Sequence, residues 1–182
     1  MAGQADPPLR RATAAAVVAA TLAGFGCMAA ELTAVRLLAP HFGDSAYVWT
    51  NVIGVILAAL AAGAWLGGRL AARADPAGWA ARCLVAAGLL VASAPWVAGG
   101  LGSWLVPAEL PLDAAMPVLV RASFVATVLL FAPAMACLGA VSPLLVTSAV
   151  RGGGDVGRSV GAISAAGTIG SLLGTFLATH WL

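Results

Sequence analysis

Apolar residues occupy this chain in long unbroken runs, with none of the alternation of a half-buried strand. The first run extends over 12–38 and stops at Pro40 and the polar turn from His41 to Ser45. A second fills 46–72 and ends at Arg73-Ala74-Asp75-Pro76, where a turn carrying both charges meets a helix breaker. The third covers 79–97. Gly99, Gly100, Gly102, Pro107, Pro111 and Pro117 then mark a broken connection with an interfacial stretch around Trp104. A fourth run leaves Met116 and continues towards Val150, longer than a bilayer needs, so its membrane part is placed at 116–138 and its last turns outside. Pro133 and Pro143 predict kinks or a break near Gly139. After Arg151-Gly152-Gly153-Gly154-Asp155 a fifth run occupies 156–180. Each run approaches the roughly 20 apolar residues that cross hydrocarbon as a helix. The pattern predicts an all-α, polytopic transmembrane helix bundle of about five spans over 12–182, preceded by a short tail at 1–11.

Composition agrees and narrows the class. Of 182 residues, 62% are apolar and 9% charged, against roughly 45–50% and about 25% in soluble domains. That excludes a water-soluble globule and a disordered chain, and leaves no room for a soluble catalytic domain beside the spans. The basic residues, nine in all and every one arginine, exceed the seven acids by two. This surplus is too small and too dispersed for a nucleic-acid footprint. A composition rich in Ala, Gly, Arg and Pro and devoid of Lys is that of a GC-rich genome, and points to a bacterial inner membrane. With five spans, Arg10, Arg11, Arg69, Arg73, Arg82, Arg151 and Arg158 all fall on one side, whereas the opposite loops carry Asp44, Glu109 and Asp113. Cationic residues are retained on the cytoplasmic side, so the N-terminus is expected inside and the C-terminus outside.

The N-terminus fits a secretory or lipoprotein signal poorly. Arg10-Arg11 is followed by Ala12-Thr13 where a secretory signal would have bulky apolar residues, and Gly24 stands three before Cys27 where a lipoprotein signal would have Leu. The run is also too long for a signal core and reads as a first permanent span.

Glu31 is the carboxylate that needs explaining. It lies about seven residues from the expected outer end of the first helix, or roughly 10 Å deep, where an acid requires a partner, a proton or a function. Arg36 is turned about 140° from it around the helix axis and is expected to snorkel outward. Arg121, entering early in the fourth helix from the same side, and Asn51, early in the second, reach a comparable depth. Glu31, Asn51 and Arg121 could form an intramembrane polar cluster, either a binding site or relay for a cation or an ion pair that fixes packing. In the fifth helix, Gly157, Gly161, Ser164, Thr168, Ser171 and Thr175 form one stripe and Gly167, Gly170 and Gly174 a second. With Gly63 and Gly67 in the second helix, these read as close-packing surfaces; a hydroxyl-lined pathway is the alternative for the first stripe. Gly152, Gly154 and Gly157 satisfy G-x-G-x-x-G, but they join two apolar helices instead of following a strand, so no nucleotide is expected there. Cys27, Cys83 and Cys137 are widely spaced and read as small buried hydrophobes. His41 and His180 lack ligand-spaced neighbours. Trp49, Trp79, Trp104 and Trp181 read as interface anchors. No catalytic residue, cofactor or metal is expected.

Four stretches together resemble the membrane module of spermidine synthase-like proteins: ELTAVRLLAPHFG at 31–43, GAWLGGRLAAR at 63–73, LGAVSPLL at 138–145 and GAISAAGTIGSLLGTF at 161–176. The resemblance covers roughly 20–180. It implies a membrane region similar to the front part of a major facilitator fold, commonly followed by a soluble domain that transfers an aminopropyl group from decarboxylated S-adenosylmethionine to putrescine. This chain contains no acid-rich α/β segment to bind amine and nucleoside, and Gly67 and Gly68 stand where the facilitator loop motif has an aspartate. The expectation is therefore a non-catalytic anchor or accessory subunit, with the lipid bilayer and other membrane subunits or a second copy as partners. Two alternatives stand beside it: a transporter-like protein for polyamine-like cations, and the membrane part of a split aminopropyltransferase whose catalytic domain is a separate chain.

Overall fold

The computed structural model describes residues 7–72, 75–106 and 112–181. Arg73, Pro107, Glu109 and Pro111 lie outside the described residues, as do the side chains of Arg10, Arg11, Asp113 and Trp181. Among the described residues the chain is wholly helical, with six helices: α1 (Pro7–Phe42), α2 (Ala46–Leu70), α3 (Pro76–Leu105), α4 (Leu112–Leu130), α5 (Ala132–Arg151) and α6 (Val156–Trp181). Five of them, all but α4, are long and apolar enough to cross a membrane.

Local chemistry sets most helix ends. Gly43 takes φ +83° and closes α1, donating to the Ala39 carbonyl at 2.9 Å; a left-handed residue here is the usual helix stop. Ser45 then caps α2, its hydroxyl accepting from the Val48 N–H at 3.3 Å. Asp75 caps α3 through the Gly78 N–H at 2.8 Å, and Pro76 fills the first turn, where its missing donor is harmless. Asp155 accepts from the Arg158 N–H at 2.9 Å and starts α6, after Gly153 has turned the chain at φ +88°.

Several boundaries differ from those read in the sequence: α1 runs from Pro7 through Pro40 to Phe42 and α3 starts at Pro76, and two further differences have clear physical causes. α3 continues through Gly99, Gly100 and Gly102 to Leu105, because backbone groups in an apolar surround have no water to bond and keep the helix despite glycine. The long fourth run divides at Phe131, not near Gly139, which is helical. Pro133 supplies no N–H to the Leu129 carbonyl and crowds it, so the break falls between that carbonyl and the proline, at Phe131. The ladder closes again on either side, Phe131 donating to Thr127 and Met135 to Phe131, each at 2.9 Å. α4 and α5 are thus one bent arm.

Close approaches fix the helix directions. Gly24, Gly170 and Gly174 are positions where a Cβ would run into the backbone of Gly167, Thr21 and Phe25, respectively, so α1 and α6 pack backbone to backbone and run parallel. Gly63 faces the Ala136 backbone, Gly67 that of Ala140 and Gly139 that of Leu60, which pairs α2 with α5, again parallel. α3 lies along α5 and α4 in the opposite sense, closing two buried clusters around Phe131 and Val141. With the α4–α5 arm counted once, the polypeptide runs the length of the bundle five times, and α1 and α6 begin at the same end. Arg69, Arg82, Arg151 and Arg158 all lie at that end.

The outer surface is apolar. Trp96 is 81% exposed and Leu89 68%, and large apolar side chains face outward on α1, α2, α3, α4 and α6. A helix apolar all round, packed on one side only, is at equilibrium in lipid and not in water. This is a multi-pass membrane protein.

Candidate functional site

The three polar residues expected to cluster do not assemble as one group. Asn51 faces α4, and its side-chain amide donates to the Val120 carbonyl at 2.8 Å and to the Ser123 hydroxyl at 3.0 Å. Ser123 passes its own proton to Val120, and Thr127 donates to Ser123 in turn; both are fully buried. Arg121, one residue from that contact, points to the exterior, and no ion pair joins it to Glu31 among the described residues. Asn51 therefore holds α2 to α4, while Glu31 stands elsewhere.

Glu31 is also deeper than the sequence suggested. Because α1 continues to Phe42, the carboxylate lies roughly 16 Å from the end of its helix at 1.5 Å per residue. It is half-buried and makes no hydrogen bond or ion pair with any described residue. Four positions earlier, on the same helix face, Cys27 lines a groove of about 300 Å³ between α1 and α6 on one side and α5 and Leu60 of α2 on the other. Ser142, Ser164, Thr168 and Ser171 also line it. Glu31 lies one helical turn beyond Cys27 on that face and is not itself part of the groove's lining.

Hydrogen bonding decides what this groove can hold. Thr168 donates to the Ser164 carbonyl at 3.0 Å and Ser171 to the Gly24 carbonyl at 3.3 Å. Those protons are committed to backbone, so these two hydroxyls offer the groove mainly lone pairs. None of the lining residues is cationic. The groove thus favours a cationic or hydrogen-bond-donating occupant. It contains no acid–base pair, and among the described residues no group of three metal-ligating side chains occurs anywhere.

The remaining expectations resolve individually. Gly63, Gly67, Gly170 and Gly174 sit at close helix contacts, and Gly167 meets Gly24 through its backbone. Gly161 has open space about it and Gly157 only the Asp155 carboxylate, so neither packs against another helix among the described residues. Their face of α6 is left uncovered. Arg36 does more than reach outward: its guanidinium donates to the Ala178 and Thr179 carbonyls at 3.5 and 3.4 Å, capping the end of α6. His41 packs against Gly102 of α3, and His180 meets the Phe176 carbonyl at 2.9 Å. Trp49 donates to Asp44 at 2.8 Å, and the arginines Arg69 and Arg82 stack on Trp65 and Trp79. Sequence reasoning missed Gly24, Gly139 and Ser142. Gly139 stands singly in α5 and Gly24 has only Gly26 near it, on another face of α1, and Ser142 becomes polar lining only once α5 and α6 are side by side.

No protein-family model, no curated protein and no solved structure matches this chain. Its geometry has to carry the functional reading.

Proposed function

We propose that this chain is a non-catalytic membrane module, an anchor or accessory subunit resembling the membrane part of spermidine synthase-like proteins. The reading rests on one observation: Glu31, inside a membrane-crossing helix and without a partner among the described residues, lies one turn beyond a groove whose hydroxyl-bearing wall on α6 faces outward. A carboxylate left against lipid is costly. In a bilayer the cost is removed when another polar or small-residue helix, from a partner subunit or a second copy, closes over Ser164 and Thr168. The arginines gathered at one end support a cytoplasmic N-terminus and an inner-membrane location.

Purification in mild detergent followed by mass spectrometry of the intact assembly tests this. A photo-crosslinking side chain at Thr168 should attach covalently to the associated chain, whereas one at the lipid-facing Leu89 should not. Recovery of a solitary chain, with crosslinks at Thr168 only to lipid, would refute it.

A second reading has its own support, because the groove offers acceptors but no cationic side chain, and a carboxylate lies one turn beyond it. As a transporter for polyamine-like cations, the reconstituted protein would take up such a cation and lose uptake on Glu31→Gln. Unchanged uptake would remove that carboxylate from the mechanism.

A further inference from the structure

α3 meets α5 along a seam of small residues. Ala80, Ala87 and Ala94 recur at heptad spacing on α3 and are all buried, and alanine at successive contacts lets two backbones approach closely. Ala80 shares a buried cluster with Ala140, Val141 and Leu144. Ala87 shares the other with Met135 and Leu138. The helices are therefore antiparallel, with Cys83 level with the turn that holds Cys137.

Both cysteines flank this seam. Cys83 is within one turn of Ala80 and of Ala87, and Cys137 is within one turn of Ala134 and Val141, so each leans towards the other helix. Their thiols are neighbours across the seam, each acting on the other. Both are free and half-buried. Cys27, on α1 in the groove, is not part of this pair.

We infer that Cys83 and Cys137 are a redox-sensitive pair that closes into a disulfide joining α3 to α5. A disulfide needs Cα atoms roughly 4.4–6.8 Å apart, an approach that an alanine seam permits and a leucine seam does not. The product is neutral and has no donor left to satisfy, which suits an apolar surround. A metal held by two thiolates would need further ligands to complete its coordination, and no group of three ligating side chains occurs among the described residues. Oxidation breaks two S–H bonds and forms one S–S bond, and the two electrons and two protons pass to a quinone, which leaves as hydroquinone. The oxidant is lipid-soluble because the pair lies roughly 10 Å along α3 from Pro76, among apolar side chains where charged oxidants do not partition. Once formed, the bridge ties α3 to the arm beyond the Phe131 bend.

The test uses the full chain in lipid vesicles. It is exposed to a short-chain quinone or to glutathione disulfide, then denatured, alkylated with a maleimide and weighed intact. The quinone should leave one alkylated cysteine, with loss of two hydrogens elsewhere, and a peptide map should join Cys83 to Cys137. Glutathione disulfide should leave all three cysteines alkylated. Cys83→Ser and Cys137→Ser should each retain two free thiols after quinone treatment, and Cys27→Ser none. Three alkylated cysteines after the quinone, a bridge involving Cys27, a stable quinone adduct, or equal bridging by glutathione disulfide would each overturn the assignment. The map on the unsubstituted chain decides the question even if a serine variant fails to fold.

Discussion

Gly170 and Gly161 lie on the same helix, and the structure assigns them opposite responses to the same added methyl group. At Gly170 a Cβ would overlap the Thr21 carbonyl oxygen and stand 2.8 Å from its carbon and 2.9 Å from the Thr21 Cα. All three atoms are backbone of α1, so no side chain can swing aside. Overpacking of this kind costs about 1–3 kcal/mol, reduced by up to about 1 kcal/mol because alanine is the better helix former. At Gly161 nothing lies within 4 Å, and only the propensity gain remains. Gly170→Ala and Gly161→Ala should therefore differ by about 2 kcal/mol, on the order of a 30-fold difference in the folded-to-unfolded ratio. Reversible unfolding in mixed micelles, followed by tryptophan fluorescence and circular dichroism, measures this directly. Equal stabilities, or a less stable Gly161→Ala, would refute the parallel α1–α6 seam.

Other contacts give further predictions. Arg36→Gln should weaken the α6 cap by about 0.3–1 kcal/mol, seen as faster amide exchange in the last turn of α6 with little change in α2. Asn51→Leu removes both donors to α4 and should lower stability by about 0.6–1.7 kcal/mol, whereas Arg121→Gln should be nearly neutral in the same unfolding assay because Arg121 faces outward. Asp75→Ala removes the α3 cap and should cost about 0.5–2 kcal/mol, with Asp75→Asn recovering most of it. Pro133→Ala restores a donor to the Leu129 carbonyl, and a pair of spin labels on α4 and α5 should then report a straighter arm.

The apolar runs made the fold class and most helix starts readable, because length and continuity of hydrophobic sequence are what a bilayer selects. Ser45 and Asp75 were read only as parts of turns, yet each caps the helix that follows, α2 and α3. The breaks were harder to place. Gly99, Gly100 and Gly102 would end a helix in water, but here the apolar surround keeps the backbone bonded to itself. Phe131 is as hydrophobic as its neighbours and carries no mark of a bend; only the proline two residues later does. Depth along a helix can be counted from sequence, whereas rotation about its axis cannot until its neighbours are known. For that reason Glu31 and Arg121 looked like partners, yet Arg121 points to the exterior and no ion pair joins them among the described residues. Gly24 and Gly139 show the same limit, since each matters only because another helix's backbone passes over it.

Five lengthwise passes with α1 and α6 parallel place the turn at Asp44 and the turn at Gly153 at opposite ends of the bundle. Single cysteines at Asp44→Cys and Gly153→Cys, in a chain whose native cysteines are serine, can be probed with a membrane-impermeant maleimide on sealed vesicles of one orientation. One site should label at once and the other only after the vesicles are opened. Immediate labelling of both from the same side would contradict the five-pass architecture on which the groove, the α6 seam and the proposed role all depend.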